Sequence, residues 1–275
     1  VNEITELDSA VDAVRELLEV YDAQVRGTVA SRLPGTWTAH PDARVLRVRT
    51  PHRGFAFSDG LVGATVDELD GYVLRTREFF AASGESVEWK LYSNDHPQLP
   101  ERLRAAGFRP EDEESVMVGR VQDLLEAGQA PPSVTIRATT ERRDLDRIAA
   151  MELSVWGQDW SWLAEDLSDR VSSAPADIVI LVAEAEDTIV SAGWLVIMPG
   201  TQFSGLWGGS TLAEWRGKGI YRALVAERAR IANARGLTFV QVDASDDSRP
   251  ILERLGLVRV ATTTPWVWEF PGCLG

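Results

Sequence analysis

The run Thr211-Leu212-Ala213-Glu214-Trp215-Arg216-Gly217-Lys218-Gly219-Ile220-Tyr221-Arg222 has the makings of an anion-binding turn. Two glycines let the backbone turn tightly and approach a ligand, and the N–H groups of a first helical turn have no partner inside the helix. Such N–H groups, with the positive end of the helix dipole, hold anions, phosphate above all. Arg216, Lys218 and Arg222 concentrate positive charge here, in a chain whose formal net charge is −14. Other phosphate loops fit less well. A Walker loop needs Ser or Thr after its Gly-Lys, and Gly219 follows Lys218. A dinucleotide fingerprint needs a third glycine that nothing here supplies.

The flanking residues predict the elements that hold this turn. Ile220, Ala223, Leu224, Ala226, Ala229, Ile231 and Ala234 recur at helical spacing, and Gly236 stops the helix. Upstream, the apolar run over 178–183 suits a strand buried on both faces. A turn at Glu186-Asp187 leads to strands over 189–198 and 202–211, joined by Pro199-Gly200. Downstream come a strand over 239–243, a short helix over 250–255 ended by Gly256, and a last strand over 265–270. A strand over 134–138 and helices over 144–156 and 162–171 precede them all.

In that slot, Arg216-Gly217-Lys218-Gly219-Ile220-Tyr221 resembles the pyrophosphate loop of the GCN5-related N-acetyltransferase (GNAT) superfamily, Gln/Arg-x-x-Gly-x-Gly/Ala. Arg216 and Gly219 take the Arg and the first Gly positions. Tyr221 departs from the pattern, standing where the family has Gly or Ala. The order β-α-α-β-β-β-α-β-α-β is also the family's, so the resemblance implies an α/β fold with a central mixed sheet flanked by helices. It implies splayed fourth and fifth strands and an acyltransferase that moves an acetyl group from acetyl-CoA to a primary amine. The acceptor is expected to be a small molecule whose amine attacks directly in a ternary complex. Carried onto this chain, backbone groups of Ser210, Thr211 and Leu212 would pair with the pantetheine arm. The N–H groups of Gly217, Lys218, Gly219, Ile220 and Tyr221 would hold the pyrophosphate, and Ser245 falls where the family often has a cofactor-touching Asn.

The acceptor end is less regular. Leu252 stands where the family often has a tyrosine acid, which leaves Tyr221, the one tyrosine of the second half, as a candidate for proton transfer or for covering the cofactor. An attacking amine must lose a proton, usually to a carboxylate. Asp243 at a strand end and Glu152 on a helix are the candidates, and either reads as well as a structural or solvated carboxylate. Trp156-Gly157-Gln158-Asp159-Trp160-Ser161-Trp162 joins two helices that form the family's acceptor wall. Its indoles would bind a cation or simply pack, as Trp207, Trp266 and Trp268 are expected to do. His40, His52 and His96 all lie in the first half, and no metal site is expected because no Cys/His cluster exists.

Residues 1–128 predict a folded unit of their own. They show a helix over 6–25, strands near 45–49, 54–57, 87–93 and 115–121, and helices over 65–80 and 99–106. A linker is expected over 126–133, and a second domain over 133–275. The halves share a faint repeat: a strand, an Asp-containing turn, a proline-led short helix, then Gly107-Phe108 or Gly256-Leu257, with Leu103 and Leu252 each four residues before the glycine. This resembles a tandem acetyltransferase whose first copy is degenerate, with no loop beyond His52-Arg53-Gly54. The acidic charge argues against nonspecific nucleic-acid or anionic-membrane binding. With one cysteine, Cys273, read as idle, and no apolar leader or spanning run, a cytoplasmic location is expected. Two other readings stay open: a non-catalytic acyl-CoA-binding sensor or scaffold, and the tRNA-dependent aminoacyl transfer of some tandem relatives, against which the intact loop and acidic charge count.

Overall fold

In the computed structural model, which describes residues 2–272, the chain opens with α1 (Asn2–Gln24), β1 (Thr38–Asp42), β2 (Val45–Arg49), β3 (Gly54–Ser58) and α2 (Val66–Ala81). Then come β4 (Val87–Tyr92), α3 (Leu99–Ala105), β5 (Arg109–Pro110), β6 (Glu114–Arg120), α4 (Val121–Leu124) and β7 (Thr135–Thr139). There follow α5 (Arg142–Trp156), α6 (Leu163–Ser173), β8 (Ile178–Ala185), β9 (Thr188–Ile197) and β10 (Phe203–Thr211). The chain closes with α7 (Ile220–Ala234), β11 (Phe239–Ala244), α8 (Arg249–Arg254) and β12 (Val258–Trp268). Cys273 lies outside the described residues. Two compact units emerge: Val1–Val116 with Asp243–Asp246 and Arg259–Gly275, and Met117–Val242 with Asp247–Val258.

The first unit builds the strand order β1-β2-β3-β4-β12. Its β3 and β4 run parallel, bridged by α2, while β12 pairs antiparallel with β4 from Thr263↔Tyr92 to Trp268↔Val87. Leu69, Val73 and Phe80, recurring at helical spacing on α2, pack against Val87 and Trp89 of β4 and Trp266 of β12. The tail of the chain therefore belongs to this unit, whereas the sequence pattern places it with residues 133–275. Hydrophobic period identifies a strand but not the neighbour it pairs with. β12 also starts at Val258, seven residues before the expected 265: its opening Val-Arg-Val-Ala-Thr-Thr-Thr is largely β-branched and suits a strand, but the three successive threonines break the apolar pattern. β1 had no apolar alternation to announce it: Thr-Ala-His-Pro-Asp is an edge strand, and Pro41 is tolerated there.

In the second unit, β11-β10-β9-β8-β7 lie in that order, antiparallel except for β10 with β11. β8 and β9 are buried on both faces, as their continuous apolar runs require. Ile180, Val182, Ala192 and Trp194 meet Leu145, Ile148 and Leu167 of α5 and α6. The alternate residues Leu181, Ala183 and Val190 meet Ile220 and Leu224 of α7. The stretch expected as a linker packs too: Ala127 is buried, its carbonyl accepts from Arg222 Nε at 3.0 Å, and a Cβ on Gly128 would meet Arg222 Cβ at 2.9 Å. Among the described residues, no helix is long and apolar enough to cross a membrane.

A charge cluster anchors α5. Buried Asp144 accepts from Arg137 Nη1 at 2.6 Å, Thr139 Oγ1 at 2.7 Å and Arg147 Nη1 at 2.8 Å, while both arginines also bind Glu184 of β8. Hydrogen bonding from Arg137, then Thr139 and Arg147, holds the Asp144 carboxyl well below the usual carboxylate range. Two turns farther along the same buried stripe stands Glu152. Asp144→Asn should cost the protein about 2 kcal/mol at neutral pH, toward the low end for a broken buried pair because the arginines are partly exposed. Because the folded carboxyl titrates below the unfolded one, this contribution is complete above about pH 4 and is lost as pH falls toward the folded value. Urea unfolding of wild type and variant at pH 7 and pH 3 checks this: the gap must shrink at pH 3.

Candidate active site

A 3-10 turn at Ala213–Trp215 leads out of β10, and α7 starts at Ile220 with Gly219 as its N-cap. Gly217 and Gly219 sit at φ +74° and +82°, a left-handed backbone that a side chain resists. No side chain caps α7 and no acidic residue lies in its first turn. Its first N–H groups are therefore open to an outside acceptor. Arg216 donates through Nε to the Thr211 carbonyl at 3.1 Å, which fixes the turn against the end of β10. The Lys218 ammonium sits 4.3 Å above the Trp215 ring.

The equivalent helix of the first unit is closed. There Thr65 caps α2 in a capping box: its hydroxyl accepts from the Glu68 N–H at 3.3 Å, and its own N–H donates to the Glu68 carboxylate at 2.7 Å. The helix supplies its own anion at that end. Both units nevertheless share one device, a parallel strand pair bridged by a helix and held by only three register pairs. These are Gly54↔Val87 to Ala56↔Trp89 in the first unit, and Phe203↔Phe239 to Gly205↔Gln241 in the second.

Beyond Gly205, β10 leaves its pairing with β11 and bulges. Its register with β9 slips between Gly208 and Ser210, with Gly208 at φ +65° and Gly209 at φ +98°. On the α7 side the Arg228 guanidinium, 1% exposed, fills the space beneath the bulge. It donates to the Trp207 carbonyl at 3.1 Å and to Leu224 O at 3.1 Å, and a Cβ on Gly193 would lie 2.9 Å from its Nη1. Burial pulls its pKa down to about 10, against a smaller opposing influence of Tyr221. Sequence reasoning missed Arg228. The signal was an arginine on the Ile220–Leu224 stripe, where the pattern asks for an apolar residue. Tyr221 packs its ring beside Gly209, and burial raises its phenol above the ordinary value, so it stays protonated at neutral pH.

On the α5 side, Glu152 is 2% exposed. Its Oε2 accepts from Ser210 Oγ at 2.6 Å and from Trp156 Nε1 at 2.9 Å, and the same indole N–H is 2.9 Å from Ser210 Oγ. Oε1 is buried without a partner. Burial pushes the carboxyl above the ordinary glutamate range, against the two hydrogen bonds. Ser191 Oγ donates to the Ser210 carbonyl at 2.6 Å and lies 2.9 Å from the buried Thr211 hydroxyl, while the Leu212 N–H goes to Val190 O. Trp156 is 53% exposed, whereas Trp160 packs on the α5–α6 core and stacks on Trp162 at 5.4 Å. Trp266 is buried as expected, but Trp207 is 44% exposed: its indole folds back over Gly205 beside Gln241, where β10 leaves the pairing.

Asp243 and Ser245 fall in the first unit. Asp243 is ion-paired with Lys90 through its Oδ2, and its Oδ1 is buried without a partner. Burial is the largest single influence on the Lys90 ammonium and works against it, but the charge and hydrogen bond of Asp243, together with Tyr92 and Glu114, raise Lys90 above its ordinary value. Ser245 is exposed just after β11. Leu252 is fully buried. Among the described residues no group of three His, Cys, Asp or Glu side chains could hold a metal ion.

Residues 143–257 match the model of the family described as "Acetyltransferase (GNAT) family". Among solved structures, the chain is similar to a GCN5-related N-acetyltransferase from Kribbella flavida, with a TM-score of 0.65 and 16% identity over 91% of this chain and 94% of that one. It is similar to a GCN5-related N-acetyltransferase from Sphaerobacter thermophilus, with a TM-score of 0.55 and 18% identity over 85% and 76%. A tandem GNAT protein from the clavulanic acid biosynthesis pathway aligns over 94% and 95%, with a TM-score of 0.59 and 12% identity. At these identities the likeness is one of fold. No curated protein matches the sequence.

A Cβ on Gly209 would meet the Tyr221 ring at 2.8 Å at a left-handed φ, whereas Gly200, also left-handed at +76°, has nothing within 4 Å. Gly209→Ala should therefore cost about 2–3 kcal/mol and Gly200→Ala about 1 kcal/mol. Adding Tyr221→Ala to the Gly209 variant should recover the difference in a double-mutant cycle by chemical denaturation.

Proposed function

Residues 143–257 belong to the GNAT acetyltransferase family, and from that premise we propose that the chain is an N-acetyltransferase carrying an acetyl group from acetyl-CoA to the primary amine of a small molecule. The observation that carries this reading is the open N-terminus of α7, uncapped, free of acidic residues and flanked by Arg216 and Lys218. A diphosphate fits such a terminus: its charge meets the helix dipole and its oxygens accept the free N–H groups of Ile220, Tyr221 and Arg222. Gly217 and Gly219 leave the loop backbone bare for close approach. The edge of β10 beyond Gly205, unpaired with β11, suits an extended arm added like a strand. Ser210 and Thr211 lie on that stretch.

When bound, acetyl-CoA supplies the activated thioester, and the chain supplies position and proton handling. Glu152 is the base of this reading. Burial raises its proton affinity, and it reaches β10 through Ser210. Asp243 suits the role less, since Lys90 already holds its charge. Tyr221, protonated and beside the bulge, is the candidate acid for the departing thiolate. The first unit serves here as a copy without a cofactor loop, because Glu68 occupies the helix terminus that a diphosphate would need. A pure acyl-CoA sensor would have no use for a buried carboxylate bonded to Ser210, which favours catalysis over that alternative.

Titration calorimetry with acetyl-CoA tests the loop. The wild type should bind at micromolar affinity. An Arg216→Ala, Gly219→Asp double variant, folded by circular dichroism, should bind at least about tenfold more weakly, since it loses a cation and gains a carboxylate at the helix terminus. Equal affinity of the two proteins would remove the loop from the site.

A further inference from the structure

Glu152 poses a problem that its surroundings solve. A base must touch the proton it takes, directly or through one carrier, yet this carboxyl is 2% exposed. An amine arriving from solvent meets other groups first. The half-buried Ser210 hydroxyl is one of them, and it already donates to Glu152 Oε2 at 2.6 Å. We propose that Ser210 is the proton carrier between the acceptor amine and Glu152, with Trp156 fixing its orientation; this rests on the acyl-transfer reading above.

A serine hydroxyl has one proton and two acceptor positions. The proton points at Glu152, and one acceptor position faces the Trp156 indole N–H at 2.9 Å. One acceptor position is left for an incoming N–H. The backbone of Ser210 is pinned as well, because Ser191 Oγ donates to its carbonyl at 2.6 Å. Trp156, 53% exposed and bonded to the same carboxylate, also presents an indole beside any ammonium bound at Ser210.

The balance of the step is simple. The ammonium gives a proton to Ser210 Oγ as the serine proton passes to Glu152 Oε2, turning carboxylate into carboxylic acid. The freed amine lone pair then forms the C–N bond with the thioester carbonyl carbon, the C–S bond breaks, and the sulfur takes the electron pair. Tyr221 gives its proton to that thiolate and regains one as the second nitrogen proton leaves, and Glu152 returns its own to water, so one proton is released per turnover. The unpartnered Oε1 helps the first transfer: a buried carboxylate oxygen without a donor disfavours the anion and raises its appetite for a proton.

Steady-state kinetics on Ser210→Ala, Ser210→Thr and Glu152→Gln, with an amine panel and acetyl-CoA, test the relay. The wild-type rate should fall with acid through an inflection above the ordinary glutamate range. Mixed H2O/D2O solvents should give a curved rate dependence, as two protons move together. Ser210→Ala should lower kcat about 100-fold or more with KM for acetyl-CoA little changed, and should lose that curvature. Ser210→Thr, which keeps the hydroxyl, should recover most of the rate and the curvature. The double variant with Glu152→Gln should be no slower than the slower single one. A fully active Ser210→Ala beside an inactive Glu152→Gln would overturn the relay and leave acyl transfer standing. Acetyl-CoA binding without turnover of any amine in the wild type would instead overturn the acyl-transfer reading and the relay with it.

Discussion

The parting of β10 from β11 after Gly205 is the constraint around which the second unit is organised. A strand in full register on both sides has no free edge and no room for a ligand. Here the bulge at Gly208 and Gly209 bends β10, whose far end, with Ser210 and Thr211, stays paired with β9 but not with β11. The same bend delivers Ser210 to Glu152 on one face and leaves the Trp207 carbonyl to be met by Arg228 on the other. Left-handed backbone at two successive positions is the reason both are glycine.

Two ionisable groups are buried on opposite faces of that bulge, and neither has an oppositely charged partner among the described residues. Arg228 spends its donors on backbone carbonyls, and Glu152 has only a hydroxyl and an indole. Burying such groups costs several kcal/mol each. Each shifts toward its neutral form, Arg228 downward and Glu152 upward. A network built for stability alone looks like Asp144, which two arginines and a threonine satisfy fully. The contrast separates the fully satisfied Asp144 from the under-satisfied Glu152, two turns apart on one helix stripe.

The two units show how little chemistry separates an open helix terminus from a closed one. Both bridge a briefly paired parallel strand pair with a helix. In the first, Thr65 and Glu68 satisfy each other's N–H groups and place a carboxylate at the positive end of the dipole. In the second, glycine replaces the cap and the nearby charges are positive.

The amino-acid pattern alone determined the local elements and the loop. Apolar period set β8, β9, β10 and α7 close to their observed limits, and the glycines with Arg216 and Lys218 marked the basic, uncapped turn before α7, because these are short-range properties of backbone freedom and charge. Glu152 was equally visible as one of two candidate carboxylates, but nothing in the pattern could rank it against Asp243. Their surroundings differ only in the tertiary structure, which pairs Asp243 with Lys90 and sets Glu152 against Ser210, 58 residues away. The placement of β12 beside β4, the exposure of Trp207 and the burial of Arg228 under the bulge were decided the same way. Period tells a residue which face it occupies; only the folded chain decides what stands across from that face, and pKa, burial and reach all depend on the neighbour.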